Sequence, residues 1–441
     1  MKPRSIIANN PNLTCEINDL LHDGRGVGRV NGKAYFIEGA LPDEEVEFFI
    51  TKEKRNFGEG RVSRVLKPSQ HREKPDCNYF SRCGGCSLQH LNHEKQVEFK
   101  SEQLLTSLER SSLKVSNILD PVMGPSWGYR RRARLAVQRS KSGQFLVGFR
   151  NSRSSRIEPI ETCLTLDGEL NKILLELPFI LDAVPRSIKL LEIELVAADN
   201  ALAIAVESNK KLPLQIAGQL SQRLSDMSGM AKQLWWKDKH SKKFECLTVD
   251  FETLFFKIED DIKIYFEPGQ FIQVNHTVNQ HLIKQMLNLL SPSLTGTAVD
   301  LYCGSGNLSL ALASYFDRVV GLEGLQSLVA GAIENAKRNV IGNVEFAVVD
   351  LGDIKSLEKA VENLGVIDLV VLDPPRGGAA DIMPWIAKSG ASQVVYVSCH
   401  PSTMLRDAHV LEESGYKMLN LGVLDMFPHS SHIESISLFV K

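Results

Sequence analysis

Over residues 1–70, apolar and polar positions alternate in short runs broken by Gly, Asn and Pro. CEINDLL leads into His22-Asp23-Gly24-Arg25-Gly26, GRVNGKAYFI carries an Asn31-Gly32 turn, and EGALPDEEVEFFITKEK and GEGRVSRVLKP follow. Period-two runs bounded by turn residues predict four or five short strands and a small β-barrel. The period changes at residues 93–112, where Val97, Phe99, Leu104, Leu105 and Leu108 fall on roughly one helical face. Residues 118–260 return to strand-like runs (RLAVQRS, QFLVGFR, LEIELVAADNALAIAVES), with short helices expected at 167–178 and 213–226. From about 264, apolar strands alternate with amphipathic helices: TAVDLYC, RVVGLEG, VEFAVVD, IDLVVLD and QVVYVSC. That alternation predicts a doubly wound parallel sheet. YKMLNLGVLDMF and HIESISLFVK then form a terminal hairpin that brings the sheet to seven strands.

A chain of 441 residues divides on these patterns into three parts, 1–70, 71–263 and 264–441. Its 43% hydrophobic and 24% charged residues are those of an ordinary globular protein and exclude collagen, coiled coil and a largely disordered chain. With 51 Lys+Arg against 53 Asp+Glu, a uniformly basic nucleic-acid coat is excluded, but a local basic face is not. Two stretches are locally basic. Residues 52–74 hold eight Lys/Arg against three Glu, and residues 126–156 hold nine Lys/Arg with no acid. The second contains Tyr129-Arg130-Arg131-Arg132-Ala133-Arg134 with Trp127, Phe145 and Phe149 interleaved, a pattern suited to phosphates and unstacked bases. The amino terminus lacks the apolar run of a signal peptide, and no run reaches transmembrane length. A cytoplasmic protein is expected.

The candidate chemistry sits at the ends of the predicted strands. Asp300-Leu301-Tyr302-Cys303-Gly304-Ser305-Gly306-Asn307 closes the first, with Ser309 where a dinucleotide fingerprint has its third Gly. Glu323 ends the second strand, 23 positions after Asp300, where a carboxylate can accept from ribose hydroxyls, and Asp350 ends the third. Cys399 ends the fifth, in Val397-Ser398-Cys399-His400-Pro401, with a helix expected to start just after it. A helix N-terminus there predicts a depressed thiol pKa and a nucleophile. Asp373-Pro374-Pro375-Arg376-Gly377 lies on the same rim, and Glu434 opens the last strand as a base or an edge charge. Cys77, Cys83, Cys86 and Cys163 offer four thiolates, a set suited to zinc or an iron–sulfur cluster. Cys15, Cys246 and Cys303 read as packing residues.

These motifs resemble the series found in RNA uracil-C5 methyltransferases: Phe271-Ile272-Gln273-Val274-Asn275, Asp300 to Asn307, Leu372 to Arg376, Val397 to Pro401 and His432-Ile433-Glu434-Ser435. Asp23-Gly24-Arg25-Gly26 with Gly39-Ala40-Leu41-Pro42 is similar to the TRAM RNA-binding module. Cys83-Gly84-Gly85-Cys86 with Ser87-Leu88-Gln89-His90 is similar to the iron–sulfur motif of the branch acting on 23S ribosomal RNA. The resemblance implies a class I, Rossmann-like methyltransferase domain behind a TRAM barrel and an iron–sulfur central domain. It implies Cys399 as nucleophile and Glu434 as proton-abstracting base. Gln273, Tyr302, Asn307, Glu323, Asp350 and Asp373 would line a pocket for S-adenosylmethionine. It also makes Cys77, Cys83, Cys86 and Cys163 ligands of a [4Fe–4S] cluster, structural or RNA-ordering because methyl transfer needs no electron. The partner implied is 23S rRNA, met by a monomer that needs no protein partner. A tRNA enzyme of the same chemistry and a non-catalytic ribosome assembly factor are the alternatives. His400 and Tyr302 depart from the family's usual Asn and Phe, and neither change removes a catalytic group.

Overall fold

The computed structural model describes residues 12–259, 261–292 and 295–441. Residues 1–11, part of the stretch read above for a signal peptide, lie outside them. The described residues form two compact units, one reaching to Gln103 and including Phe427–His432, the other Leu104–Met426 with Ile433–Lys441.

In the first unit, β1 (Leu13–Leu20), β2 (Gly26–Val30), β3 (Lys33–Glu38), β4 (Glu45–Glu53) and β5 (Phe57–Lys67) close the expected barrel, in the order β1-β2-β3-β5-β4. Asn31 and Gly32, at φ 49° and 79°, make the two-residue turn that sets Val30 opposite Lys33. Ile17, Ile37, Val46 and Phe48 fill the interior. A Cβ at Gly28 would lie 2.4 Å from Cys15 Sγ, so the strands approach closely only because Gly28 has no side chain. Cys15 is a core residue, its thiol pushed up to about 11 by burial.

Helix α1 (His93–Ser111) begins in the first unit and from Leu104 onward belongs to the second. Strand β6 (Val115–Ile118) follows, and then β7 (Arg132–Arg139), β8 (Phe145–Arg150) and β9 (Ile157–Pro159). Asp167 caps α2 (Gly168–Ile180) by accepting from the backbone N–H groups of Glu169 and Leu170. With β10 (Leu190–Ala197), β11 (Leu202–Ser208), α3 (Leu214–Ser225), β12 (Lys232–Asp238) and β13 (Glu245–Cys246), these build a mixed sheet in the order β13-β12-β11-β10-β7-β8-β9. Both expected helices are present in this segment.

Much of the basic run at 129–134 is paired with acids from elsewhere in the chain. Tyr129 is buried, and Arg132 and Arg134 both reach the buried Glu194, at 2.7 and 3.0 Å, while Arg131 pairs with Asp199. The acids missing from residues 126–156 arrive from β10 and the turn after it, so three arginines in the densest part of the run are paired with carboxylates.

Strands β14 (Leu254–Lys257) and β15 (Lys263–Phe266) form a small hairpin, and α4 (His276–Leu289) leads into the last sheet. Its elements are β16 (Thr297–Leu301), α5 (Ser309–Leu312), β17 (Arg318–Glu323), α6 (Gln326–Arg338), β18 (Val344–Val348), α7 (Ile354–Val361) and β19 (Leu369–Leu372). They continue with α8 (Met383–Lys388), β20 (Gln393–Ser398), α9 (Pro401–Glu413), β21 (Lys417–Leu424) and β22 (Glu434–Val440). The order is β18-β17-β16-β19-β20-β22-β21-β6, with β16 to β20 parallel and β22 antiparallel to its neighbours. All seven expected strands are here, and the count of seven is corrected to eight. Strand β6 pairs in parallel with β21, Asn117 opposite Asn420. Its last three residues are exposed, so no apolar run announces it.

Candidate active site

The carboxyl ends of β16 to β20 carry the expected residues. After β16 the chain turns through Tyr302, Gly304 and Gly306, at φ 62°, 57° and 92°. A left-handed Tyr is held there at a cost of about 1–3 kcal/mol, which the surrounding bonds must offset. Several do so. Gly304 N–H donates to Glu323 Oε2 at 3.3 Å, Gly306 N–H to Cys303 O at 3.0 Å, and Asn335 Nδ2, from α6, to Ser305 O at 3.0 Å. Asn307 and the buried Asn279 of α4 exchange two amide hydrogen bonds of 3.0 Å each. Glu323 Oε1 also accepts from Leu325 N–H at 2.9 Å, and exposed Asp350 accepts from Gly352 N–H at 2.9 Å. Ser305 Oγ is buried with no partner among the described residues, and a Cβ at Gly304 would meet nothing within 4 Å. A rigid turn with open space at Gly304, an unsatisfied hydroxyl and a carboxylate at the next strand end fits a ribose-bearing ligand.

Two carboxyl groups on this rim are pushed up to about 7. Asp300, fully buried, is raised by burial and by the charges of Asp373 and Glu323, and lowered in part by the Ser309 hydroxyl that donates to it. Asp373, at the end of β19, is raised by burial and accepts from Gln273 Nε2 at 3.4 Å.

The pairing of β20 with β22 decides what faces Cys399. Ser398 lies opposite Ser435 and Val397 opposite Ile436. Cys399 follows the last residue of β20 and Glu434 opens β22, close enough for the Glu434 charge to act on the thiol. The expectation of a depressed thiol is corrected. Burial, then the charges of Glu434 and Asp373, push Cys399 up to about 11, and Arg376 offsets only part of this. A helix N-terminus favours the thiolate, but two nearby carboxylates and partial desolvation outweigh it. The loop carrying Arg376 is fixed from α9. Thr403 Oγ1 donates to Arg376 O at 3.3 Å, and Arg406 Nη2 donates to Gly377 O at 2.9 Å. Buried Asp407 accepts from Ala379 N–H and from the Tyr396 hydroxyl, each at 2.7 Å.

The family model described as tRNA (Uracil-5-)-methyltransferase matches residues 92–441, and the TRAM domain model matches residues 13–63. The 23S rRNA (uracil(1939)-C(5))-methyltransferase RlmD of Legionella pneumophila (strain Lens) is 35% identical, over 97% of this chain and 97% of its own. A protein of the same name from Vibrio vulnificus (strain CMCP6) is 37% identical over 96% and 95%. The chain belongs to the RNA uracil-C5 methyltransferase family. The tRNA (uracil-54, C5)-methyltransferase of Pyrococcus abyssi, solved with S-adenosyl-L-homocysteine, shares the fold with a TM-score of 0.75 at 22% identity, over 97% of this chain and 99% of that one.

Against the motif series of the uracil-C5 methyltransferases, Gln273, Tyr302, Asn307, Glu323, Asp350, Asp373, Cys399 and Glu434 all lie in the second unit, at or beside the strand ends of one sheet. The metal-type cysteines are placed differently. Cys77, Cys83 and Cys86 are in the first unit, where Gly85 N–H donates to Cys83 Sγ at 3.4 Å. Cys163 is in the second, its Sγ 3.2 Å from Thr165 Oγ1. Among the described residues, no three His, Cys, Asp or Glu side chains gather as a metal site. An amide aimed at a thiol in a Gly-Gly loop does suit a thiolate or sulfide acceptor.

Three further residues are not among those the sequence pattern singles out: Asn279, Asn335 and Asp407 are all buried polar side chains on helix faces that are otherwise apolar. A polar residue inside an apolar helical stripe is the available signal, since burial demands partners. In the first unit, the segment just before Glu434 is also anchored. Ser87 and Leu88 N–H donate to His429 O at 2.9 and 3.0 Å, and His429 N–H donates to Gln96 Oε1 at 2.8 Å.

Proposed function

We propose that this chain transfers a methyl group from S-adenosylmethionine to C5 of a uridine in 23S rRNA, through an adduct between Cys399 and uracil C6. The observation that supports it is that β20 and β22 are paired neighbours, with Cys399 just after β20 and Glu434 opening β22, in a chain of the uracil-C5 methyltransferase family. Uracil C5 is a weak carbon nucleophile. The Cys399 thiol gives its proton to water, and addition of the resulting thiolate forms the C6–S bond and moves the C5–C6 π pair into an enolate whose carbon end is C5. S-Adenosylmethionine, when bound, supplies an electrophilic sulfonium methyl. With C5 methylated, the Glu434 carboxylate takes its remaining proton; the pair left behind re-forms C5=C6, and the C6–S bond breaks to return the thiolate.

Glu323 would hold the ribose hydroxyls and Asp350 would lie by the adenine, with Gln273, Tyr302, Asn307 and Asp373 lining the rest of the cofactor pocket. A stacked uridine hides C6, so the target base must leave its stack. Residues 1–70 serve as the TRAM barrel that adds an RNA contact, 71–263 as the central domain and 264–441 as the catalytic domain. From the cysteine pattern, Cys77, Cys83, Cys86 and Cys163 are the thiolate ligands of a [4Fe–4S] cluster with no electron-transfer role in the reaction; iron content of the purified protein and of its Cys→Ser variants tests this. No helix among the described residues is long and apolar enough to cross a membrane, and a cytoplasmic monomer is the form proposed.

The names of the curated relatives favour 23S rRNA over tRNA. Tritium release from uracil-C5-labelled RNA, with 23S rRNA and tRNA offered separately, tests the substrate. Release from 23S rRNA alone is expected; release from tRNA alone would overturn the substrate, and release from neither would overturn the activity.

A further inference from the structure

Three of the arginines in the basic run at 130–134 are tied to Glu194 and Asp199. Four other cations gather beside the same sheet. Arg139, Arg150, Arg186 and Lys189 line a cavity of about 710 Å³ together with Phe145 and Leu190, and no Asp or Glu lines it. None of these four cations has a carboxylate partner among the described residues.

Their arrangement separates two tasks. The Arg139 guanidinium lies 3.9 Å from the centre of the Phe145 ring, and its two Nη atoms donate to Gly143 O at 2.9 Å and Val184 O at 2.6 Å. Held by two carbonyls and seated over an aromatic ring, it is a fixed group on which an unstacked base can lie. Arg186 and Lys189 are exposed, with no hydrogen bond from either side chain among the described residues, while exposed Arg150 donates to Ser155 O at 2.9 Å. Gly143 turns the chain here at φ 99°, beside the Arg186 guanidinium. Exposed cations around a fixed planar one, with apolar side chains in the same lining, match a nucleotide's phosphate and base together. A cluster of four cations with no acid also leaves a charge that a polyanion relieves.

We propose that this cavity binds an unpaired nucleotide of the substrate RNA, apart from the uridine that is methylated, and so contributes affinity and register but no chemistry. The inference rests on the RNA-modifying activity proposed above.

The test measures 23S rRNA binding by the full-length protein across a salt series, with kcat from tritium release at saturating RNA. For R186E/K189E the Kd should rise about tenfold or more, and the slope of log K against log salt should fall by about two, one for each phosphate no longer neutralised. Its kcat should stay that of the wild type, and R186Q/K189Q should show a smaller shift in the same direction. Unchanged Kd and slope in R186E/K189E would overturn the inference while wild-type release leaves the activity standing. Binding of uridine monophosphate that depends on Arg186, with RNA affinity indifferent to it, would overturn it equally. No tritium release by the wild type would overturn the activity itself, and the inference with it.

Discussion

Cys399 is held as a thiol by its own surroundings. Glu434 and Asp373 each add negative charge to a half-buried sulfur, and Arg376 removes only part of their effect. Taking the charge from Glu434 should therefore ease ionisation of Cys399 while removing the base. In Glu434→Gln, alkylation of Cys399 at pH 8, followed by mass spectrometry, should run severalfold faster than in the wild type, and turnover should fall by about 10²-fold or more. Slower alkylation would mean that Glu434 does not act on the sulfur. The identities of these residues were legible in the chain, because a Cys after one apolar strand and a Glu at the start of another are local features. The direction of the pKa shift was not. It depends on which strands lie side by side, and neither Glu434 nor Asp373 is a sequence neighbour of Cys399.

The helices do more than cover the sheet, because α4 and α6 each send one amide into the turn after β16. Asn279 is matched to Asn307 by two hydrogen bonds, and Asn335 holds Ser305 O and both backbone groups of Tyr265. Asn279→Ala should cost about 1–3 kcal/mol in urea unfolding, since it strands a partner amide. It should also weaken S-adenosylmethionine binding about tenfold, as expected from a misplaced Asn307; calorimetric titration reads this, and wild-type affinity would show that the pair only stabilises the fold. At this scale the chain was largely readable. The five barrel strands, both central helices and the seven strands of the catalytic sheet follow from periodicity and turn residues. Strand β6 does not, since its exposed side chains make it a strand only through pairing with β21.

Across the whole molecule, Asp300 and Asp373 link stability to pH. Each has a folded pKa of about 7 against an ordinary 3.8. The folded state therefore holds protons that the unfolded chain releases between about pH 4 and pH 7. Stabilisation from these two groups is full below pH 4 and is lost as pH rises through 7. Urea unfolding at pH 5, 6, 7 and 8 should show a decline that Asp300→Asn makes shallower, and an unchanged slope would exclude Asp300 as a contributor. The charge map also operates at this scale. The small net charge of the whole chain conceals both an ion-paired group around Glu194 and a cation cluster around Arg186, and only the folded sheet distinguishes them.

The central claim is that the Cys399 sulfur bonds to uracil C6. A 23S rRNA fragment containing 5-fluorouridine tests this most directly, because fluorine at C5 cannot leave as a proton and the adduct cannot be resolved. With S-adenosylmethionine present, the account predicts a stable protein–RNA complex whose cross-linked peptide contains Cys399 and whose uracil carries the added methyl group. A complex through another cysteine, or turnover by the wild type with no covalent complex, would contradict it.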